Sequence, residues 1–268
     1  MKIFTSLAPH NLPRQQLAVH SWLRAGFIPY SLNIGEEIRL LEDSFRDVRF
    51  LEVHDEQTTI AYLGKAFVNI DAFFAHILRH GENEVCGIVN ADIIIDPPFD
   101  LHDILIKEAA GGLVFGNRID IHAPEERNGE LFGLGFDYFF LDSNLAACYP
   151  ASKFSMGKPF WDYWLPIVPL RKKLGQVKWL RTPIAFHQNH PTCWNREDYI
   201  FFCFEMAKSL QMADFAGATP GNRQAADAET LRRCSAAADK LLEEIRLSAL
   251  SLSAAPAQSD FFTAKATP

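Results

Sequence analysis

The strongest constraint on the fold is a rhythm in the first third of the chain, where short apolar runs alternate with segments of helical pattern. "KIFTSL" reads as a strand. "PRQQLAVHSWLRAG" reads as a helix, with Pro13 preset for its first turn and Gly26 just past its end. "FIPYSLN" is a strand, "EEIRLLEDSF" a helix and "VRFLEV" a strand. "KAFVNIDAFFAHILRHG" follows as a helix closed by Gly81, and "EVCGIVNAD" as a fourth, fully buried strand. Alternation of this kind predicts a parallel sheet with helices on both faces.

Open sheets of that type bind ligands beyond the carboxyl ends of their strands, which places Thr5, Ser6, Asn33 and Asp92 on one rim. From Gly111 the pattern changes. "GGLVFGNRIDI" and "GELFGLGFDYFFLD" are glycine-punctuated apolar segments, expected as strands of a mixed, partly antiparallel extension. "GKPFWDYWLPIVPL" is dense in aromatics and Pro, and "VKWLRTPIAFHQNHP" reads as a strand running into a His-bearing loop. After Phe215 the composition shifts to Ala, Gly and Ser, with one amphipathic helix near 225–250. The expected organisation is a catalytic domain over 1–215, a helical extension over 216–252 and a disordered tail over 253–268.

A formal net charge of -7 argues against a general nucleic-acid binder, which needs basic patches to neutralise phosphates. The five cysteines are scattered without CxxC spacing, so neither a disulfide framework nor a thiolate zinc site is expected. No apolar run approaches the ~20 residues of a membrane span, and the N-terminal segment turns polar too soon for a signal-peptide core. The expectation is a soluble, cytoplasmic protein. GxxxxGK[ST], GxGxxG and GxSxG are all absent, which lowers the odds of a P-loop, a dinucleotide fold or a serine hydrolase.

Asp92 is the most informative position. A carboxylate at the end of a buried parallel strand suits a divalent cation, although "NADIIIDPPFD" also has the composition of a turn. His187 and His190 in "AFHQNHP" offer a distant partner, or are surface-loop histidines. Asp162 lies between Trp161 and Tyr163, where a carboxylate needs a partner or a task. It either accepts a proton from a sugar hydroxyl while the aromatic faces pack on sugar rings, or caps a helix beginning there. Asp137 and Tyr138 form a second aromatic frame, "GFDYFF", and Lys65 and Arg118 are cations able to offset phosphate charge or simply to face solvent.

Taken together, an α/β N-terminal half, a fourth strand ending in Asn90-Ala91-Asp92, an aromatic-framed Asp162 and a late strand followed by His187 resemble the GT-A class of nucleotide-sugar glycosyltransferases. The resemblance covers roughly three quarters of the chain and implies a Rossmann-type α/β fold with a mixed, mostly parallel sheet. It implies that Asp92 and His187 hold Mn²⁺ or Mg²⁺, that the amide of Asn90 replaces the first carboxylate of an Asp-X-Asp triplet, and that residues 5–14 and Asn33 hold the nucleotide. Thr5, Ser6, Arg14, Lys65 and Arg118 then belong to the donor site. Asp162 matches the catalytic base of inverting members, with Asp137, Tyr138, Trp161 and Tyr163 on the acceptor side. "GKPFW" is similar to a Gly-Lys-Pro-Trp signature of some retaining transferases, so both stereochemical outcomes stay open. The implied donor is a nucleotide sugar, with a UDP-sugar favoured, and the acceptor a glycan or a lipid-linked precursor. Two alternatives stand beside this: a nucleotidyltransferase of similar fold, and a silent glycan-binding scaffold using its C-terminal helix as a peripheral docking element.

Overall fold

The computed structural model describes residues 1–190, 194–215 and 228–254. The elements run β1 (Lys2–Thr5), α1 (Leu12–Arg24), β2 (Ile28–Asn33), α2 (Gly35–Leu41), β3 (Arg49–Glu52), α3 (Ile60–Leu63), α4 (Ile70–His80) and β4 (Val85–Val89). They continue with β5 (Ile93–Ile95), α5 (Leu101–Glu108), β6 (Leu113–Gly116), β7 (Ile119–Ile121), β8 (Glu130–Leu131) and β9 (Tyr138–Asp142). Last come α6 (Trp161–Lys172), β10 (Val177–Leu180), β11 (Ala185–Gln188), α7 (Arg196–Ser209), α8 (Ala228–Ser248) and β12 (Leu250–Leu252).

The main sheet has eight strands in the order β12-β10-β6-β9-β4-β1-β2-β3. Every pairing is parallel except those of β9, which runs antiparallel to both β4 and β6. This is the expected mixed, mostly parallel α/β architecture, parallel through the alternating N-terminal part and antiparallel where β9 enters. Side-chain alternation splits the core: Ile3 faces a layer with Trp22, Leu41 and Leu105, whereas Phe4 faces a layer with Phe73, Trp164, Phe202 and Leu241. Helices α1, α2 and α5 thus cover one face, and α4, α6, α7 and α8 the other.

A second sheet, β5-β11-β7-β8, stands beyond the first. Three strands of the main sheet feed it: β4 leads through Asn90-Ala91-Asp92 into β5, β6 through Asn117-Arg118 into β7, and β10 through residues 181–184 into β11. At the first of these crossings the Asn90 N–H donates to the Asp137 carbonyl (3.0 Å), and Ile93 N–H returns to the Asn90 carbonyl (3.2 Å). His187 is therefore a strand residue, paired across from Ile93 and Asp120, and not part of a loop. Pro183 explains the break, since it has no N–H to continue β10 in its ladder.

Three further expectations change. Residues 65–69 are not helical. Val68 bridges Thr58, Asn69 bridges Ser155, and α4 begins only at Ile70. The helix α7 was not anticipated, although Asn195 and Asp198 form a capping box at its start. The C-terminal helix is not an appendage, because α8 buries Cys234, Ala237, Leu241 and Ile245 against α6 and α7, and β12 adds the edge strand beside β10. The apolar face expected to serve a partner is thus covered within the domain. Ala254 is tied to Thr182 by two hydrogen bonds (3.0 and 3.1 Å), and the remainder of the expected tail, 255–268, lies outside the described residues. None of the described helices is long and apolar enough to cross a membrane.

Candidate active-site cleft

The first two crossings, the end of β11, the loop after β1 and the start of α6 surround one cleft of about 980 Å³. Its floor on the β1 side is residues 6–11, a loop held from behind. The Gln15 side chain accepts from Ala8 N (2.7 Å) and donates to the carbonyls of Ala8 (2.9 Å) and His10 (2.6 Å). Ser31 Oγ accepts from Leu7 N (2.9 Å), and Asn33 Nδ2 donates to the Leu7 carbonyl (2.6 Å). Ser6 and Arg14 line the cleft, whereas Asn33 and Thr5 are fully buried beneath it. Their place is structural: Asn33 ties β2 to the loop and to Glu37, and Thr5 donates towards the sulfur of Met156. Arg14 has an enclosed Nε without a hydrogen-bond partner.

Asp92, His187 and His190 meet where the connection from β4 to β5 lies against the end of β11. Asp92 Oδ2 lies 2.9 Å from His190 Nε2 and 3.5 Å from His187 Nε2, and the three ligand atoms fall within 4.8 Å of one another. Burial would raise the Asp92 carboxyl, but hydrogen bonds from both imidazoles outweigh it and hold the group well below the usual carboxylate range. A ligand-competent anion beside two imidazoles fits a divalent cation. The mixed oxygen and nitrogen set suits Mn²⁺ better than Mg²⁺, which prefers oxygen alone.

A chain of short polar contacts fixes this cluster. Asp120 Oδ1 sits 3.1 Å from His187 Nδ1, so the other ring nitrogen is turned to Asp92. Arg118 donates to Asp120 (2.7 Å) and to Asp137 Oδ2 (2.8 Å), and Asn90 Nδ2 donates to Asp137 Oδ1 (2.6 Å). The Arg118 guanidinium also lies 4.0 Å over the Phe132 ring. Burial works against its charge, yet the two aspartates prevail and keep it protonated. Arg118 is therefore a brace between two carboxylates first and a phosphate ligand only second. Asp137 lines the cleft as well, and each of its oxygens already accepts one hydrogen bond of the brace. The lining cations left to face a phosphate are Arg14 and Lys65, since Lys158 pairs with Asp198 (2.9 Å) and lies 4.0 Å over Phe67.

Asp162 is the second residue of α6, behind Phe160 in the left-handed region (φ 72°). Both sequence readings of this carboxylate meet here, because it sits at a helix start and also lines the cleft. Phe136 N–H donates to its Oδ2 (3.1 Å). Gly135 leaves room for it, since a Cβ there would come within 2.6 Å of the same oxygen. Burial, with the Asp137 charge added, pushes its pKa up to about 7 against the backbone donors that lower it. Trp161 and Tyr163 also border the cleft, and the Tyr163 hydroxyl donates to the Leu134 carbonyl (2.8 Å). Tyr138 does not. It is wholly enclosed in the α1-side core, its hydroxyl unpaired and wedged against Gly116, so the acceptor role expected of it is corrected. Strand alternation decides this: Tyr138 and Phe140 face one layer, Phe139 and Leu141 the other. The cleft also gathers residues that carried no assigned role in the sequence, namely Lys158, Trp194, Tyr199, Ser235 and Asp239.

No family model and no curated protein matches the chain. Among solved structures it is similar to the inositol-1-phosphate CTP transferase from T. maritima, at 11% identity over 70% of this chain and 83% of that one, TM-score 0.38. An active-site mutant of LgtC gives 12% identity over 74% and 91%, TM-score 0.39. A putative glucose-1-phosphate thymidylyltransferase from Bacillus anthracis gives 9% identity over 72% and 87%, TM-score 0.36.

Proposed function

We propose that the protein is a cation-assisted glycosyltransferase that takes a sugar from a nucleoside-diphosphate donor, a UDP-sugar being the first to test, and passes it to a hydroxyl of a glycan or lipid-linked acceptor. One observation carries this reading. A carboxylate with two imidazoles and a second carboxylate whose pKa is raised to about 7 line the same cleft, and the Asp120–Arg118–Asp137 brace runs from the first to Asp137, whose charge helps raise the second.

Asp92, His187 and His190 would hold the cation, which when bound supplies positive charge to the departing diphosphate. The loop of residues 6–11 receives the nucleoside, and Arg14 and Lys65 offset phosphate charge. Asp162 accepts the proton of the acceptor hydroxyl. As that oxygen bonds to the anomeric carbon, the bond from this carbon to the diphosphate oxygen breaks, and the nucleoside diphosphate leaves with the electron pair. Attack opposite the leaving group inverts the anomeric centre. A base with a pKa near neutrality is suited to the step, being about half ionised at pH 7 while still basic enough to take the proton.

Calorimetry with UDP, GDP and CMP, each with and without Mn²⁺, tests the reading. Cation-enhanced binding of one nucleotide, together with release of a nucleoside diphosphate from its sugar conjugate, is the expected result. Release of inorganic pyrophosphate from a nucleoside triphosphate and a sugar phosphate would instead mark a nucleotidyltransferase, and no nucleotide response at all a scaffold.

A further inference from the structure

The wall of the cleft on the α7–α8 side is built differently from the rest. Of the five tryptophans, four are buried at 6% exposure or less, while Trp194 is 39% exposed on the cleft. It is not loose. Its ring stacks on Tyr199 (centroids 5.7 Å, 22°), Tyr199 packs against Phe160 (5.2 Å), and Phe160 meets Tyr163 edge-on (5.8 Å) beside Asp162. An aromatic path thus runs from the rim to the candidate base. Polar groups edge it: the Tyr199 hydroxyl shares a hydrogen bond with Ser235, and Asp239, one helical turn further along α8, makes no ion pair with another described residue.

We infer that Trp194, Tyr199 and Asp239 form a binding subsite for a pyranose ring of the acceptor, with the ring's apolar face on Trp194 and its hydroxyls on Asp239 and Ser235. A pyranose has that composition, one face of C–H groups and a rim of hydroxyls. An exposed indole stacked on Tyr199, with the Asp239 carboxylate on the same cleft and in electrostatic reach of Tyr199, complements both. A lipid chain would need no carboxylate there, and a nucleotide phosphate would be repelled by it. The inference rests on the glycosyl-transfer reading for the word acceptor, although sugar binding itself does not depend on it.

Because Trp194 is the exposed indole, acrylamide quenching of tryptophan fluorescence reports on it selectively. The full chain is titrated with methyl glycosides of glucose, galactose, mannose and N-acetylglucosamine up to about 100 mM, a range that captures the weak affinity expected of a single sugar. Neither donor nor cation is present. At least one glycoside is expected to protect Trp194, and Asp239→Asn, which keeps the reporter, to raise its half-protecting concentration about tenfold. With a UDP-sugar and Mn²⁺ added, Trp194→Ala should raise the same glycoside's half-saturating concentration for transfer by at least about tenfold. Protection by UDP with none by any glycoside overturns the inference, and so does protection that Asp239→Asn leaves unchanged. Absence of sugar transfer in the presence of glycoside protection counts against the transferase reading only.

Discussion

The two walls of the cleft are held by different physics. The cation wall is made where three strands leave one sheet for another, and polar cross-links from Asn90 through Asp137, Arg118 and Asp120 to His187 set its side chains. The opposite wall is made by helix starts and rings: Phe160, Tyr163, Trp194 and Tyr199 pack through faces and edges, and α8 supplies the polar rim. Hydrogen-bonded charges have one good geometry each, whereas packed rings tolerate several. The first wall is therefore suited to fixing a diphosphate and its cation, and the second to accommodating a substrate of variable shape.

Removing a ligand is the harshest way to break the contrast. Asp92→Ala should abolish the Mn²⁺ enhancement of nucleotide binding, a loss of about 10² or more in calorimetric affinity for the cation. If the enhancement survives, the cation is held elsewhere and the first wall has been misread.

Asp162, between the walls, comes next. Asp162→Asn should leave nucleotide binding within a few-fold and depress turnover by about 10². Its raised pKa carries two signs that separate base from mere helix cap. In the wild type, transfer should fall as pH drops through about 7, because the protonated carboxyl accepts no proton. Stability runs the other way. The fold favours the neutral form, so that contribution is complete below the unfolded value near 3.8 and is lost as pH rises through about 7. Asp162→Asn should therefore melt several degrees above the wild type at pH 8, with the gap closing towards pH 5. A gap independent of pH would mean that the carboxyl is not perturbed.

Asp120→Asn tests the brace without touching a ligand. Loss of the charge behind His187 is expected to weaken Mn²⁺ binding by about 10-fold, measured by titration of the metal, with smaller change in nucleotide binding in its absence. Asp120→Glu should recover part of the loss if orientation of the imidazole is what matters.

How much of this was legible in the sequence follows the same division. The run from β1 to β4 was readable because Pro13, Gly26 and Gly81 punctuate periods that local chemistry enforces. The second sheet was not, since β5, β7 and β11 have only three or four residues each and too few positions to show a period. With it went Asp120, hidden as the polar member of "IDI", and the strand setting of His187. Asp92 and Asp162 stand out because a carboxylate amid apolar or aromatic neighbours is conspicuous whatever the fold, and His187 and His190 because two imidazoles follow an apolar run. The convergence of His190 with them depends on the path of the chain after β11 ends at Gln188, which no local signal encodes. Helix α7 escaped because "YIFFCFEM" is apolar on more than one face, as a helix packed between neighbours must be. The joining of α8 and β12 to the main domain rests on pairing with β10, some seventy residues earlier, as the register of Lys178 with Leu250 shows.

The smallest expected effect marks where the second wall ends and the core begins. Tyr138 stands next to Asp137 in sequence and shares its aromatic setting, so an acceptor role for both was a natural reading. The structure turns it the other way, with its hydroxyl buried, without a partner, and pressed against Gly116 and its surroundings. An unsatisfied buried hydroxyl destabilises a fold by about 1–3 kcal/mol relative to a paired one, and deleting it leaves an apolar ring in an apolar layer. Tyr138→Phe should therefore leave transfer and nucleotide binding unaltered and hold or raise stability by about 1 kcal/mol in a urea titration. A drop in acceptor-dependent turnover with donor binding intact would place this ring on the substrate side after all, and the aromatic wall would have to extend through β9 to the far face of the sheet.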